Sequence, residues 1–410
     1  MKTSKKHRGL SLLLTVIVFL SGILIPMPSM AYAASANSNI RVSDFIRIIV
    51  QAAGLEIDET KSSPYLKAAM AAGIVKSGDF KDYKSYLTRT DAAVILNRAD
   101  EYLYGDTVDS KLLKTVLEER ISDISKISKD KREAVAKVYA KGFMKGYSNG
   151  YYIKSREIRG SEYMTIAGAR GVVTMLKDVK KRSKISPDGQ LIRTTNLPKN
   201  AKDYEYILAT YPNSFYEMKF KYQRAKYYFE PEELVDYASP AKIKNMNTFS
   251  VNLNKYKDTW IERVEINLQS RLNVNYKTVG SDWINDLRSS YTQHGDALSD
   301  KKITDEIKSY VNFAKKKEIV IQSKVIDVEL STLYYNMGYY VRVYIKFKVN
   351  YSGTKLTADE LISGDMISMP ELKKNTWYEG VYDIRLGTVN GSSDGSDYYV
   401  TNDSLIEYEN

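Results

Sequence analysis

The chain has no cysteine in 410 residues and only two histidines. Disulfides, thiolate metal sites and thioether lipid anchors are therefore excluded, and cysteine nucleophiles with them. Beyond residue 33 the one histidine is His294, set in Thr292-Gln293-His294-Gly295-Asp296, which reads as a surface loop. A tetrahedral zinc site needs several His, Cys or carboxylate ligands, and a serine hydrolase needs a positioned base. One loop histidine supplies neither, so neither a metal nor another cofactor is expected. Tryptophan is absent before Trp260, and no apolar run after residue 24 is long enough to cross a bilayer.

What is present begins with a basic segment, Lys2, Lys5, Lys6 and Arg8, followed by an apolar stretch from Leu10 to Leu24. That stretch is shorter than the roughly 20 residues of a spanning helix. Pro26 and Pro28 break it before Ala31-Tyr32-Ala33, a small-x-small cleavage pattern, so residues 1–33 are predicted to be an export signal cut beside Ala31 and Ala33. Its removal takes four positive charges, lowering the net charge from +11 to +7. A basic exported chain suits an anionic wall polymer as well as plain solubility. Nucleic acid is not expected, because the basic residues are scattered among Asp and Glu.

The strongest motif is Leu87-Thr88-Arg89-Thr90-Asp91-Ala92-Ala93, preceded by Gly73-Ile74-Val75 and Phe80. An imperfect copy follows as Gly142-Phe143-Met144-Lys145-Gly146-Tyr147, then Ile158-Arg159-Gly160-Ser161-Glu162-Tyr163. A truncated trace, Ile40-Arg41-Val42-Ser43-Asp44-Phe45, lies upstream. Phe45, Ile48, Ile49, Ala52 and Ala53 share one helical face, with Ser43 placed to cap and Gly54 to stop the helix. Thr88 and Asp91 form a short capping box: the Thr88 hydroxyl accepts from the third helical amide, and the Asp91 carboxylate reaches back to the cap amide. Such a cap is worth about 1 kcal/mol. Nothing in a cap requires Arg89, whose cation gains nothing from a helix N-terminus. In this register the arginine position falls on Val42 upstream and on Gly160 in the last copy.

These copies resemble S-layer homology repeats, the modules that hold exported proteins on Gram-positive walls. Arg120-Ile121-Ser122-Asp123-Ile124 resembles the family's Phe-Ser-Asp-Val opening, and Gly146-Tyr147 its Gly-Tyr after the first helix. The resemblance implies an all-helical region over 38–180, non-covalent binding of an anionic, often pyruvylated, secondary wall polymer in grooves between packed repeats, and a recognition role for Arg89. Thr88, Asp91, Gly146 and Tyr147 are the accompanying candidates. A planar guanidinium suits bidentate capture of carboxylate, and an aromatic face suits sugar.

Residues 181–202 read as a linker, with turn signals at Ser186-Pro187-Asp188-Gly189 and Asn196-Leu197-Pro198. Residues 203–410 are tyrosine-rich and predict an α+β domain: helices near 259–268, 283–291 (capped by Ser281) and 304–316, then an antiparallel sheet. Alternation puts Val341, Val343, Ile345, Phe347 and Val349 on one face, and Asn336-Met337-Gly338 signals the hairpin turn. The element order is that of helix-on-curved-sheet folds such as the cystatin and nuclear-transport-factor-like ones, which host many functions.

Tyr227-Tyr228, Tyr334-Tyr335, Tyr339-Tyr340 and Tyr398-Tyr399 each put one ring on either face of a strand, the outward ring being free to bind. Two carboxylates suffice for a glycosidase, but Glu262 and Glu265 one helical turn apart are common on a solvated face. Asp394 and Asp397 lack the spacing of a calcium loop. The expectation is a non-enzymatic surface protein, with repeats on the wall and a C-terminal binding domain displayed; the alternatives are a secreted binding or assembly protein whose repeats serve only as a scaffold, and a wall-active glycoside hydrolase.

Overall fold

The computed structural model describes residues 36–218, 250–335, 339–357, 361, 371–388, 396, 398–401 and 406–407. The export signal with Ala31 and Ala33, Tyr227-Tyr228, the turn at Asn336-Met337-Gly338, and Asp394 and Asp397 lie outside these residues.

The repeat region is built on α1 (Val42–Ala52), α2 (Pro64–Ala71), α3 (Arg89–Tyr104), α4 (Ser110–Thr115), α5 (Lys129–Ala140) and α6 (Ile166–Lys177). A single π turn, Val116–Arg120, continues α4. The expectation of pure helix is modified by a two-residue hairpin, β1 (Tyr147–Ser148) with β2 (Arg156–Glu157). Both α2 and α5 stop at a left-handed glycine. The Gly73 and Gly142 amides bond Met70 O and Tyr139 O, and the next amides, Ile74 and Phe143, bond Ala69 O and Val138 O. This double closure is the Schellman stop, and glycine supplies the positive φ without strain.

Three short segments entering α1, α3 and α6 close on one another in a ring. Ile40 N donates to Met164 O (2.9 Å), Met164 N to Leu87 O (2.8 Å), and Leu87 N to Ile40 O (2.9 Å). A second ring joins Val42 N to Ser85 O, Arg89 N to Glu162 O and Ile166 N to Ser38 O. All three ring side chains, Ile40, Leu87 and Met164, are buried. The rings fix the register of the copies: Arg41, Thr88 and Thr165 stand before the helices, and Val42, Arg89 and Ile166 begin them. The sequence register for the last copy is therefore corrected. The arginine position falls on Ile166, not Gly160, which instead lies against α3: a Cβ there would come within 2.3 Å of Thr90 Oγ1. Ser43 does not cap α1, since the cap position is Arg41 and Ser43 N bonds Tyr83 O.

Of the predicted face of α1, Phe45 and Ile49 are buried and Ile48 and Ala52 pack half-buried beside them, while Val42, Ile46 and Val50 complete the buried side. Phe45, Ile49, Ala92, Leu96, Val138 and Leu176 are among the residues of one continuous core, each large side chain contributing about 1.5–3 kcal/mol by burial. Beneath it Asp100, wholly buried, takes Lys141 (2.9 Å) and Arg182 (2.5 Å).

The C-terminal half contains α7 (Asn213–Glu217), α8 (Ser250–Leu272), α9 (Ser281–Ser290) and α10 (Ala297–Lys316). Gly280, not Ser281, holds the cap position of α9, and α10 begins earlier than expected because Asp296 caps it through Ser299 N (2.8 Å). The antiparallel sheet runs β3 (Val274–Asn275), β4 (Val320–Tyr335), β5 (Tyr339–Asn350), β6 (Trp377–Gly387) and β7 (Tyr399–Val400), with β8 (Ile406–Glu407) also on β6. Val341, Val343, Ile345, Phe347 and Val349 are fully buried in one core with Trp260, Val264 and Leu268 of α8. The alternation expected of β5 is present.

The opposite face of the sheet is also covered, which alternation alone did not predict. Tyr204, Tyr211, Phe215 and Tyr216 pack on Tyr334 and Tyr340. The outward ring of the Tyr339-Tyr340 pair is thus internal, stacked on Tyr334 at 5.0 Å, while Tyr339 meets Trp260 at 4.8 Å. Buried Arg342 pairs with Asp383 (3.0 Å) and donates to Phe215 O (2.9 Å). Residues 183–192, within the predicted linker, lie against the repeats. Ser183 N bonds Gly142 O, and Arg120 meets the Asp188 carbonyl at 2.8 Å and carboxylate at 3.3 Å.

Candidate wall-polymer groove

Thr88 caps α3 as the motif requires. Its hydroxyl accepts from Asp91 N (3.1 Å) and donates to Asp91 Oδ2 (2.7 Å). The Asp91 carboxylate closes the box on that hydroxyl, in place of the cap amide, and pairs with Lys131 Nζ at 2.7 Å. Lys131 lies in the first turn of α5, so the cap of α3 is tied to the start of α5.

The cap fixes where Arg89 emerges. Its Nε donates to Ile158 O at 2.8 Å, and its guanidinium carbon lies 5.1 Å from the Tyr147 ring centroid. Arg159, at 4.1 Å, covers the same ring. Three of the candidates (Arg89, Tyr147 and Gly146) therefore meet in one cluster, with Thr88 and Asp91 at its edge. Gly146 is required there: φ is +64°, and a Cβ would sit 3.0 Å from Glu157 O. Arg156 secures the same turn through Lys145 O (2.6 Å) and Gly146 O (3.1 Å).

Arg159 and Lys131 were not among the sequence candidates. Arg159 stands outside the cap register, and only the fold of its loop brings it over Tyr147. That loop is held from below by Asp123, 7% exposed, whose carboxylate accepts Ile158 N (2.8 Å) and Arg159 N (2.7 Å). A non-glycine φ of +55° at Arg159 is sustained by these two bonds. The aspartate of the Ser122-Asp123 motif is the one signal in the sequence for this support.

Charge in this cluster is unevenly satisfied. Lys131 has Asp91, and Arg159 has Glu157 (3.1 Å) and Glu162 (3.9 Å). Arg89 has a carbonyl and a ring face, and no carboxylate pairs with it among the described residues. A guanidinium whose forked donors lack an acid beside a half-open aromatic ring is equipped to take an external carboxylate with a sugar against the ring.

A concavity of about 860 Å³ lies where the repeats meet the C-terminal half. Glu262 and Glu265 line it from α8, and Asp327 from β4. Lys154 stands between, 2.9 Å from Asp327 and 3.8 Å from Glu265. Burial pushes both carboxyls up and Lys154 counters it. His294 lies in a loop, its amide bonded to Asp300. Among the described residues no three His, Asp or Glu side chains cluster as a metal site would require, and no helix is long and apolar enough to cross a membrane.

The family model of the S-layer homology domain matches residues 120–153, a span running from Arg120 through Asp123, α5 and Gly146-Tyr147. No curated protein and no solved structure matches the chain. That domain implies association with the cell surface or wall. With its opening aspartate, Schellman glycine and Gly-Tyr turn in place, the chain is an S-layer homology domain-containing protein.

Proposed function

We propose that the protein is exported from a Gram-positive cell, binds an anionic secondary wall polymer non-covalently through the Arg89 groove, and displays a non-enzymatic C-terminal binding domain. The observation that carries this reading is Arg89, a guanidinium without a carboxylate partner among the described residues, over the exposed ring of Tyr147. A pyruvyl carboxylate fits the fork, and the adjoining sugar fits the ring. The other two copies begin their helices with Val42 and Ile166, so recognition falls on this groove.

The test is co-sedimentation of the purified chain with native wall sacculi, beside sacculi stripped of their polymer. Binding to native sacculi alone, reduced at least tenfold by Arg89→Ala, supports the reading. Equal binding to both preparations overturns it. Undiminished binding by the variant, with native sacculi still preferred, removes Arg89 from the site.

A further inference from the structure

Two large aromatic side chains beside the Arg89 groove are left facing solvent, and nothing in the cap-and-core logic of the repeats accounts for them. Tyr86 is 47% and Tyr163 51% exposed, and they occupy matching positions, each directly before a buried ring residue, Leu87 or Met164. The interlock of the copies brings them together: the ring centroids lie 5.7 Å apart, tilted by 55°. Tyr163 is paired across a β-bridge with Thr88, and Tyr86 with Arg41. The Arg89 amide bonds Glu162 O, the residue beside Tyr163. Tyr163, Tyr86 and Arg41 are therefore successive neighbours along one seam, and Arg89 follows Thr88, the backbone partner of Tyr163 at its end.

Arg41 repeats the chemistry of Arg89 at the far end. Its guanidinium carbon lies 5.2 Å from the Tyr86 ring centroid, and it donates to the Lys84 carbonyl. Among the described residues no carboxylate pairs with it. The seam thus carries an acid-free arginine against an aromatic ring at each end and an exposed tyrosine pair between. Exposed tyrosines offer flat apolar area with few rotors to freeze, and contiguous exposed apolar area of this kind marks an interaction surface.

We infer that this seam is a track for several units of a glycan chain bearing repeated carboxylates: Arg89 and Arg41 each take an acid, and Tyr163 and Tyr86 stack the sugars between. The inference rests on the wall-polymer reading and deepens it, because a single-sugar site needs only Arg89 and Tyr147. It also gives a role to Arg41, which occupies a cap position without making a side-chain cap bond.

The experiment is calorimetric titration of the full chain with pyruvylated wall-polymer fragments of graded length, from one pyruvylated sugar to several repeats. The Tyr86→Ala/Tyr163→Ala variant is expected to bind multi-repeat fragments about tenfold more weakly and the single sugar as the parent does. Replacing both tyrosines by Trp retains multi-repeat binding, and Arg89→Ala weakens both ligands. Both tyrosines are exposed, and circular dichroism with thermal unfolding verifies that the variants stay folded. If the double alanine variant binds long fragments like the parent, or loses both ligands equally, the track is refuted, while Arg89→Ala still reports on the groove itself. If the parent binds neither ligand, the groove and the track fall together.

Discussion

Lys154 Nζ lies 2.9 Å from the buried carboxylate of Asp327, joining the hairpin of a repeat to the central sheet of the C-terminal half. Two residues away Tyr152 stacks flat on Tyr344, with centroids 3.5 Å apart, and its amide bonds Thr210 O (2.8 Å). The β1–β2 turn is thus plugged into the C-terminal half, and the repeats and the sheet form a packed junction.

Lys154→Ala is expected to destabilise the protein by about 3–5 kcal/mol, because it leaves a buried carboxylate uncompensated. Denaturant unfolding measures this. Adding Asp327→Asn to the same chain should recover a large part of the loss, since the amide carries no charge to solvate.

Glu329 is buried on the covered face of the sheet, held by the Ser331 hydroxyl and by Tyr216 at 3.3 Å. Burial pushes its carboxyl from 4.5 up to about 8. The folded state therefore holds this proton where the unfolded chain releases it. Stability falls as pH rises from about 4.5 to about 8, by up to about 1.4 kcal/mol per unit. Glu329→Gln should flatten that part of a melting-temperature profile, whereas an unchanged slope would assign it to other groups.

The cap and the recognition arginine separate by mutation. Thr88→Ala should lower stability by about 1 kcal/mol, read by thermal unfolding. Arg89→Ala removes the bond to Ile158 O and should also cost about 1 kcal/mol, so the two variants are told apart by sacculus binding, which is lost with Arg89→Ala.

Asp100 takes two cations at the base of the repeat core, and neither has bulk water in its place. Asp100→Ala strands Lys141, 3% exposed, and should cost about 3–5 kcal/mol. Native-state hydrogen exchange should show α3, α5 and α6 opening together.

The helical faces of the repeats, the glycine stops and the Thr88 cap were legible in sequence because each is set within a few residues: a 3.6-residue period, one positive φ, one hydroxyl reaching its own helix. β5 was legible for the same reason. The register of the last copy was not. Arg159-Gly160 mimics the motif locally, yet the backbone rings joining Ile40, Leu87 and Met164 place Ile166 at the arginine position. Arg159 escaped notice because its place over Tyr147 depends on bonds to Asp123, thirty-odd residues away in the chain. The outward tyrosine Tyr340 was misjudged because a strand shows which residues share a face but not what covers it.

By itself the sequence determined the capped start of α3 and named Arg89 and Tyr147 as candidates, all within short stretches where local hydrogen bonding and periodicity govern. Tertiary structure alone decided that Arg89 meets no acid among the described residues, that Tyr86 and Tyr163 pack together, and that Lys154 locks the repeats to the sheet. Each of these depends on which distant segments close together, and that is settled by packing the copies around one buried core.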